Sequence, residues 1–307
     1  MLQINVLAHH RHRLGFLTKS LDILKKIKNK NKIKVLIGYT SDADHWVKKK
    51  KEFEEIGIEC DTFQQNKYMG KIMRFINSDC EYSCSMDEDI MLNEYLWDFM
   101  IENLSILDDE KNLLFIPLIS NGIPTTEKFI NDFCNDEQKE EIQNIFRNTK
   151  MRYDCMVGHT NLDYSFLDNW DENFIDKLFK IEHHYRGIHP IRMSYEANLK
   201  MAQIICASKT FFDEKEYNIE IEKIPYFCNS FFIIKTKTWA KFINDKSLYK
   251  DPFDEVPLNL YMRKTDTNVA IVRNGFCIHM CYNTVNVYDK NSQKKVEDYY
   301  YKNILFK

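Results

Sequence analysis

The sequence predicts an α/β fold built on a mainly parallel, doubly wound sheet with helices on both faces, and three observations carry that reading. Strand-like and helix-like segments alternate through residues 1–120. The apolar and aromatic shares, 44% and 14%, suit a packed core. Only eight glycines and six prolines interrupt the chain of 307 residues, which leaves little room for linkers or low-complexity segments.

Each element has a local reason. Residues 4–8 form a short apolar run, and residues 14–27 carry Leu17, Leu21, Leu24 and Ile27 at helical spacing. Residues 33–39 are rich in β-branched and apolar side chains. Residues 44–56 read as a charged helix with Asp44 as N-cap, ended by Gly57 before a third strand at 58–63. A helix at 66–77 sets Met69, Ile72, Met73 and Ile76 on one face and Lys67, Lys71 and Arg74 on the other. Residues 81–86 form a strand that runs into Asp87-Glu88-Asp89, followed by a helix at 94–107 and a strand at 113–120. This β-α-β order implies parallel strands with crossover helices.

The second half is less regular. Residues 125–149 read as helical, with Asn135 and Gln138 spaced as a capping box for a second run of turns. Residues 151–190 are aromatic and polar, include His183, His184 and His189, and read as loop structure shaping a substrate site. A helix at 194–206, a buried strand at 226–236, short helices at 237–244 and 256–264, and a strand near 270–272 leading to Cys277-Ile278-His279 complete the chain. The expected organisation is an alternating α/β half at 1–120 and a less regular half at 121–307, packed as one continuous domain.

Charge and cysteine usage narrow the function classes. A net charge of −3 from 43 basic and 46 acidic residues gives no field favouring nucleic acid. The basic run Lys48 to Lys51 reads as a solvated helix face, with peripheral membrane contact as the alternative. No apolar stretch approaches the roughly 20 residues needed to span a bilayer, and no charged leader followed by an apolar segment opens the chain, so the expected location is cytoplasmic. Nine cysteines fit reduced thiols. Cys80 with Cys84 and Cys277 with Cys281 fall on strand-like segments, where a spacing of four separates side chains by roughly 13 Å, too far for one zinc ion. They read as small buried side chains.

In an open parallel sheet, ligands bind beyond the carboxyl ends of the strands. That rule groups Ala8, His9, His10 and Arg11 after the first strand, Ser41 and Asp42 after the second, residues 64–66 after the third, and the acidic triplet after the fourth. The first strand is followed by neither Gly-x-Gly-x-x-Gly nor Gly-x-x-x-x-Gly-Lys, so a bound nucleotide needs another device for its phosphates. An Asp-x-Asp at a strand end supplies one, because two carboxylates can hold a hard cation that offsets the diphosphate charge.

The segment from Ile76 through Asp87-Glu88-Asp89 to Ile90, a helix end, a strand and an Asp-x-Asp, resembles the GT-A glycosyltransferases, particularly the family-two-like group. The resemblance covers residues 2–120 and, more loosely, 226–283. It implies Asp87 on the nucleotide side and at the metal, Asp89 as ligand of Mn2+ or Mg2+, and His279, after the last strand, completing the metal site. Glu88 is assigned no direct role. An acidic pair at a helix start, Asp254-Glu255, resembles the family's catalytic base. Lys71 and Arg74 read first as a solvated basic face, with phosphate contact as the alternative. Two departures stand out: Tyr39-Thr40-Ser41-Asp42 replaces the family's Asp-Gly-Ser-x-Asp, and the pair is Asp254-Glu255 where Glu-Asp is usual. The base therefore stays open between the two. The implied reaction moves a sugar from a nucleotide-diphosphate sugar, with a UDP donor as the default, to a hydroxyl of a glycan, lipid-linked glycan or protein. An in-line displacement would invert the anomeric centre, with retention as the alternative outcome. The resemblance makes 1–120 the nucleotide-sugar-binding half and 121–307 the acceptor-binding, catalytic-base half.

Two alternatives belong to other classes. A sugar nucleotidyltransferase needs a glycine-rich basic loop after its first strand, and residues 8–16 carry only Gly15. A non-catalytic carbohydrate-binding protein on the same fold is the other; the joint presence of Asp87, Asp89, Asp254, Glu255 and His279 weighs against it.

Overall fold

Leu2–Ala8 (β1) is buried along its whole length, which a strand achieves only when both faces of its sheet are covered. The computed structural model describes residues 1–65, 79–119, 125–148, 195–207, 213–224, 227, 230–244 and 255–280, with isolated positions between 295 and 303. Within it β1 pairs in parallel with Ile33–Tyr39 (β2), from Leu2 opposite Ile33 to Ala8 opposite Tyr39. Glu59–Gln64 (β3) pairs in parallel with β2, and Tyr82–Met86 (β4) with the other edge of β1.

The sheet then turns mixed. Phe231–Lys235 (β8) runs antiparallel to β4 and antiparallel in turn to Asn112–Ile119 (β6). Two reversals restore the direction, so β6 runs the same way as β1 to β4, as the alternation implies, with β8 inserted between β4 and β6. Ile90–Met91 (β5) and Asn268–His279 (β9) complete the order β3-β2-β1-β4-β8-β6-β9-β5, and Ile219–Glu222 (β7) pairs on β9.

Helices Leu14–Ile23 (α1), Ala43–Glu54 (α2) and Glu94–Glu102 (α3) belong to the N-terminal part. Each departs slightly from the periodicity. Asp42, not Asp44, takes the N-cap position of α2; it sits in the left-handed region (φ 61°, ψ 45°), and its side chain does not cap. Asp44 lies in the first turn, where a carboxylate still meets the positive helix end. Asn93 caps α3 by accepting the Leu96 N–H at 2.7 Å, and a 3-10 turn at Leu104–Asp108 finishes the stretch expected to be one helix. Gly57 ends the α2 region at φ +81°, a conformation that glycine adopts without strain. The strand expected near 270–272 extends over twelve residues and includes Cys277 to His279. The expected helix at 66–77 lies outside the described residues, as do residues 151–190 and Cys281.

Aromatic packing joins the late elements to the sheet. Trp97 of α3 meets Phe231 of β8 edge-on at 5.4 Å. Phe232, Trp239, Phe242 and Tyr261 form a continuous series at 5.1, 5.0 and 5.6 Å, linking β8 to Thr236–Asn244 (α7) and Glu255–Thr265 (α8). Such pairs contribute about 0.5–1.5 kcal/mol each beyond the area they bury. Cys80, Cys84 and Cys277 are buried free thiols, in keeping with their reading as small core side chains, and burial raises the Cys84 and Cys277 thiols well above the ordinary range.

The chain divides into two compact units: Met1–Pro117 with Glu214–Ile224 and Asn229–Ile278, and Leu118–Asp213 with Pro225–Cys228 and His279–Lys307. Leu118 and Ile119 finish β6, and His279 finishes β9. In the second unit, Thr125–Phe133 (α4) and Asp136–Asn148 (α5) are separated by the expected capping box. The Asn135 N–H donates to Gln138 Oε1 at 2.9 Å, and the Gln138 N–H donates to Asn135 Oδ1 at 2.8 Å. Lys200 of Tyr195–Ala207 (α6) pairs with Glu141 of α5. Among the described residues no helix is long and apolar enough to cross a membrane.

The lysine run on α2 is only in part the solvated face its composition suggests, since Lys48 and Lys51 are exposed while Lys49 turns inward. Lys49 is only 4% exposed; its ammonium lies 2.9 Å from Asp22 of α1 and 2.8 Å from Glu52, and Lys25 reaches the same Glu52 oxygen at 2.8 Å. Lys50 pairs with Asp61 on the edge strand β3 at 3.0 Å. Hydrogen bonds from Lys25 and then Lys49 hold the Glu52 carboxyl down at about 2, from an ordinary 4.5. A carboxyl lower in the folded than in the unfolded state stabilises the fold above its unfolded value, and that contribution is lost as pH falls through the folded one. Thermal unfolding followed from about pH 5 down to about 2 is expected to show the loss inside this window, with Glu52→Gln giving a shallower acid decline. An identical decline in the variant would remove Glu52 as a source of the acid sensitivity.

Candidate metal centre

Parallel pairing brings the carboxyl ends of β1, β2 and β4 side by side, so the residues after them form one rim. The Ala8 carbonyl accepts the Thr40 N–H at 3.1 Å, and the Thr40 hydroxyl donates to the His9 carbonyl at 2.9 Å. After β3, the Gln65 N–H donates to the Tyr39 carbonyl at 2.7 Å. Gln65 folds over Gly38, where an added Cβ would lie 1.9 Å from its Nε2. Among the described residues neither polar atom of its buried amide has a hydrogen-bond partner, a condition that costs about 1–3 kcal/mol unless a ligand relieves it.

The acidic triplet forms a turn between β4 and β5. The Asp87 N–H donates to the Ser230 carbonyl at 2.9 Å, just ahead of β8, and the Ile90 N–H donates to the Asp87 carbonyl at 3.3 Å. This turn divides the three carboxylates. Asp87 and Asp89 converge with His279 at the end of β9: one ligand atom from each residue lies within 4.8 Å of the other two. Asp87 is half-buried, while Asp89 and His279 are 1% and 2% exposed. Two carboxylate oxygens and one imidazole nitrogen suit a divalent cation that accepts nitrogen beside oxygen.

Glu88 points elsewhere. Its Oε2 accepts the N–H groups of His9 and His10 at 2.7 and 2.8 Å, and its Oε1 meets the His10 ring and lies 3.6 Å from Arg13 Nη1. Burial raises this carboxyl, but the hydrogen bonds from the His10 ring and backbone, with the charges of His10 and Arg13, outweigh it and hold it below the ordinary range. The Arg13 guanidinium, also buried, forms an ion pair with Asp89, its Nη1 2.8 Å from Oδ2. Burial, helped by the neighbouring His10, lowers the His9 imidazole and favours its neutral form.

The other residues singled out from sequence fall into two groups. Ala8, His9 and His10 stand on the rim. Arg11 extends into solvent, its side chain 83% exposed and its Nε 3.8 Å from Asp42 Oδ1, while Asp42 begins α2. Glu255 is the first residue of α8. Lys71 and Asp254 lie outside the described residues. Sequence reasoning passed over Arg13 and assigned Glu88 no direct role. No sequence signal marks the pairing, because Arg13 and Glu88 lie 75 positions apart and their burial exists only in the folded chain.

No family model matches the chain, and no curated protein matches it. Solved structures do. S. aureus TarS in complex with UDP matches at 12% identity over 38% of this chain and 35% of that chain, with a TM-score of 0.31. Mannosyltransferase PcManGT from Pyrobaculum calidifontis, in complex with GDP-Man and Mn2+, matches at 12% identity over 37% and 34%, with a TM-score of 0.31. GalNAc-T7 with UDP, GalNAc and Mn2+ matches at 8% identity over 98% of this chain and 48% of that chain, with a TM-score of 0.49. The match thus spans about a third of the TarS 1–349 and PcManGT chains and about half of the GalNAc-T7 chain.

The ligand set can be tested without any nucleotide. Mn2+ binding followed by electron paramagnetic resonance is expected to weaken at least about tenfold in Asp87→Asn and in His279→Ala, each of which removes a ligand atom. Unchanged affinity in either variant removes that residue from the site.

Proposed function

We propose that this chain is a metal-dependent glycosyltransferase, acting on a nucleotide-diphosphate sugar and an acceptor hydroxyl, with Asp87, Asp89 and His279 as its cation site. The observation that carries the reading is the convergence of these three donor groups, from β4 and β9, at the carboxyl end of a largely co-directional sheet. That is where an α/β sheet binds ligands, and the neighbouring loops lack any glycine-rich phosphate cradle.

In this reading the cation, when bound, offsets the charge of the departing nucleoside diphosphate. Asp87, Asp89 and His279 hold it, and Arg13 orients Asp89 from behind. Ala8, His9, His10 and Asp42 line the nucleotide side, the Gln65 amide adds a donor and an acceptor at the same rim, and Lys71 and Arg11 are candidate phosphate contacts. Glu255 or Asp254 takes the proton of the acceptor hydroxyl as its oxygen bonds to the anomeric carbon and the bond from that carbon to the diphosphate breaks. A single displacement of this kind inverts the anomeric configuration. UDP is the default nucleotide, Mn2+ or Mg2+ is the cation, and the cytoplasm is the location we propose. A glycan, a lipid-linked glycan or a protein would supply the acceptor hydroxyl.

A thermal-shift series with UDP- and GDP-sugars, with and without Mn2+, tests the reading. A ligand at about 100 times its Kd stabilises the folded state by about 2.7 kcal/mol, so a clear rise in Tm is expected only where nucleotide sugar and Mn2+ are both present. No shift with any donor in either condition sinks the proposal. With a donor identified, one of Glu255→Gln and Asp254→Asn is expected to lower kcat by about 100-fold or more with donor affinity retained. Equal, mild losses would mean that neither is the base.

A further inference from the structure

The loop after β1 is where a dinucleotide-binding fold presents backbone N–H groups to phosphate. Here the N–H groups of His9 and His10 converge on one atom, Glu88 Oε2, at 2.7 and 2.8 Å. The carbonyls of the same loop are engaged as well: Ala8 and His9 accept from Thr40, and His10 accepts the Arg13 N–H at 3.0 Å. A protein carboxylate therefore occupies the anion-binding position that a ligand phosphate takes in other α/β folds. Glu88 is 5% exposed. Burying a carboxylate is costly, and here two N–H donors and the nearby Arg13 offset that cost. What the carboxylate adds is direction. It fixes two successive peptide groups relative to the turn that carries Asp87 and Asp89, one residue to either side of it.

We propose that Glu88 is a positioning residue for nucleotide binding, an internal anion that sets the β1 loop against the metal-ligating turn. Arg13 extends the connection, since its Nη1 lies 3.6 Å from Glu88 Oε1 and 2.8 Å from Asp89 Oδ2. The loop and the metal ligand are thus registered by a shared pair of charges. Diphosphate is left to the cation because the loop's own donors are already engaged. This inference rests on the nucleotide-binding reading above, and it makes a separable claim: loss of Glu88 harms nucleotide affinity and spares metal affinity.

The experiment uses the full chain as wild type, Glu88→Gln and Glu88→Asp. The first removes the charge; the second keeps it on a side chain one methylene shorter, and serves if the first does not fold. Mn2+ binding is measured alone, UDP and GDP binding are measured with and without Mn2+, and amide hydrogen exchange is followed at His9, His10 and β4. The expected result is nucleotide affinity about tenfold weaker in the presence of Mn2+, Mn2+ affinity within about threefold of wild type, and faster exchange at His9 and His10 with β4 unchanged. Nucleotide affinity within about twofold of wild type, or unchanged exchange at His9 and His10, overturns the inference. An equal loss of Mn2+ affinity overturns it by making Glu88 part of the metal shell, and a gain of UDP binding without Mn2+ overturns it by making Glu88 a block. If wild type binds neither Mn2+ nor either nucleotide, the glycosyltransferase reading itself fails and the inference falls with it.

Discussion

The pairing of β1 on both edges is the constraint from which the site follows. Seven residues of β1 are matched to β2 and five to β4, all in parallel, so Ala8 ends level with Tyr39, and Val6 with Met86. A register slip of one residue would turn every side chain of these buried strands to the opposite face. Because β1 and β4 are buried on both sides, that error is costly, and the rim behind the candidate metal centre inherits its accuracy from the core.

The second element of the arrangement is a strand from far along the chain. β8 lies between β4 and β6, and its lead-in residue Ser230 accepts the Asp87 N–H. The turn carrying the acidic triplet is thereby held from its N-terminal side by a segment more than a hundred residues away in sequence. β9 then delivers His279 from the same sheet. Ligand groups on strand ends are set by ladder hydrogen bonds, which gives them smaller freedom than groups on long loops.

Electrostatics explains why three adjacent acidic residues do not act alike. Asp87, Glu88 and Asp89 on one turn repel one another in a partly dry environment. The fold separates them by sending Glu88 toward the His9 and His10 amides and Arg13, and Asp87 and Asp89 toward His279. Arg13 joins the two sides through its 2.8 Å contact with Asp89. A divalent cation would offset charge that a single guanidinium leaves in place.

Much of this was readable from residues in order. The alternation of periods over residues 1–120 determined the co-directional strands, because a buried strand and an amphipathic helix each leave a local signature. The capping box at Asn135 and Gln138, the placement of the triplet after an apolar strand and the interest of His279 came from the same kind of local pattern. Tertiary structure alone decided the rest. The insertion of β8, the burial of Lys49 between Asp22 and Glu52, and the partnership of Glu88 with the β1 loop and of Arg13 with Asp89 join residues that no short-range pattern links. A charged side chain reads as solvated until a distant partner replaces its water, and only the folded chain supplies that partner.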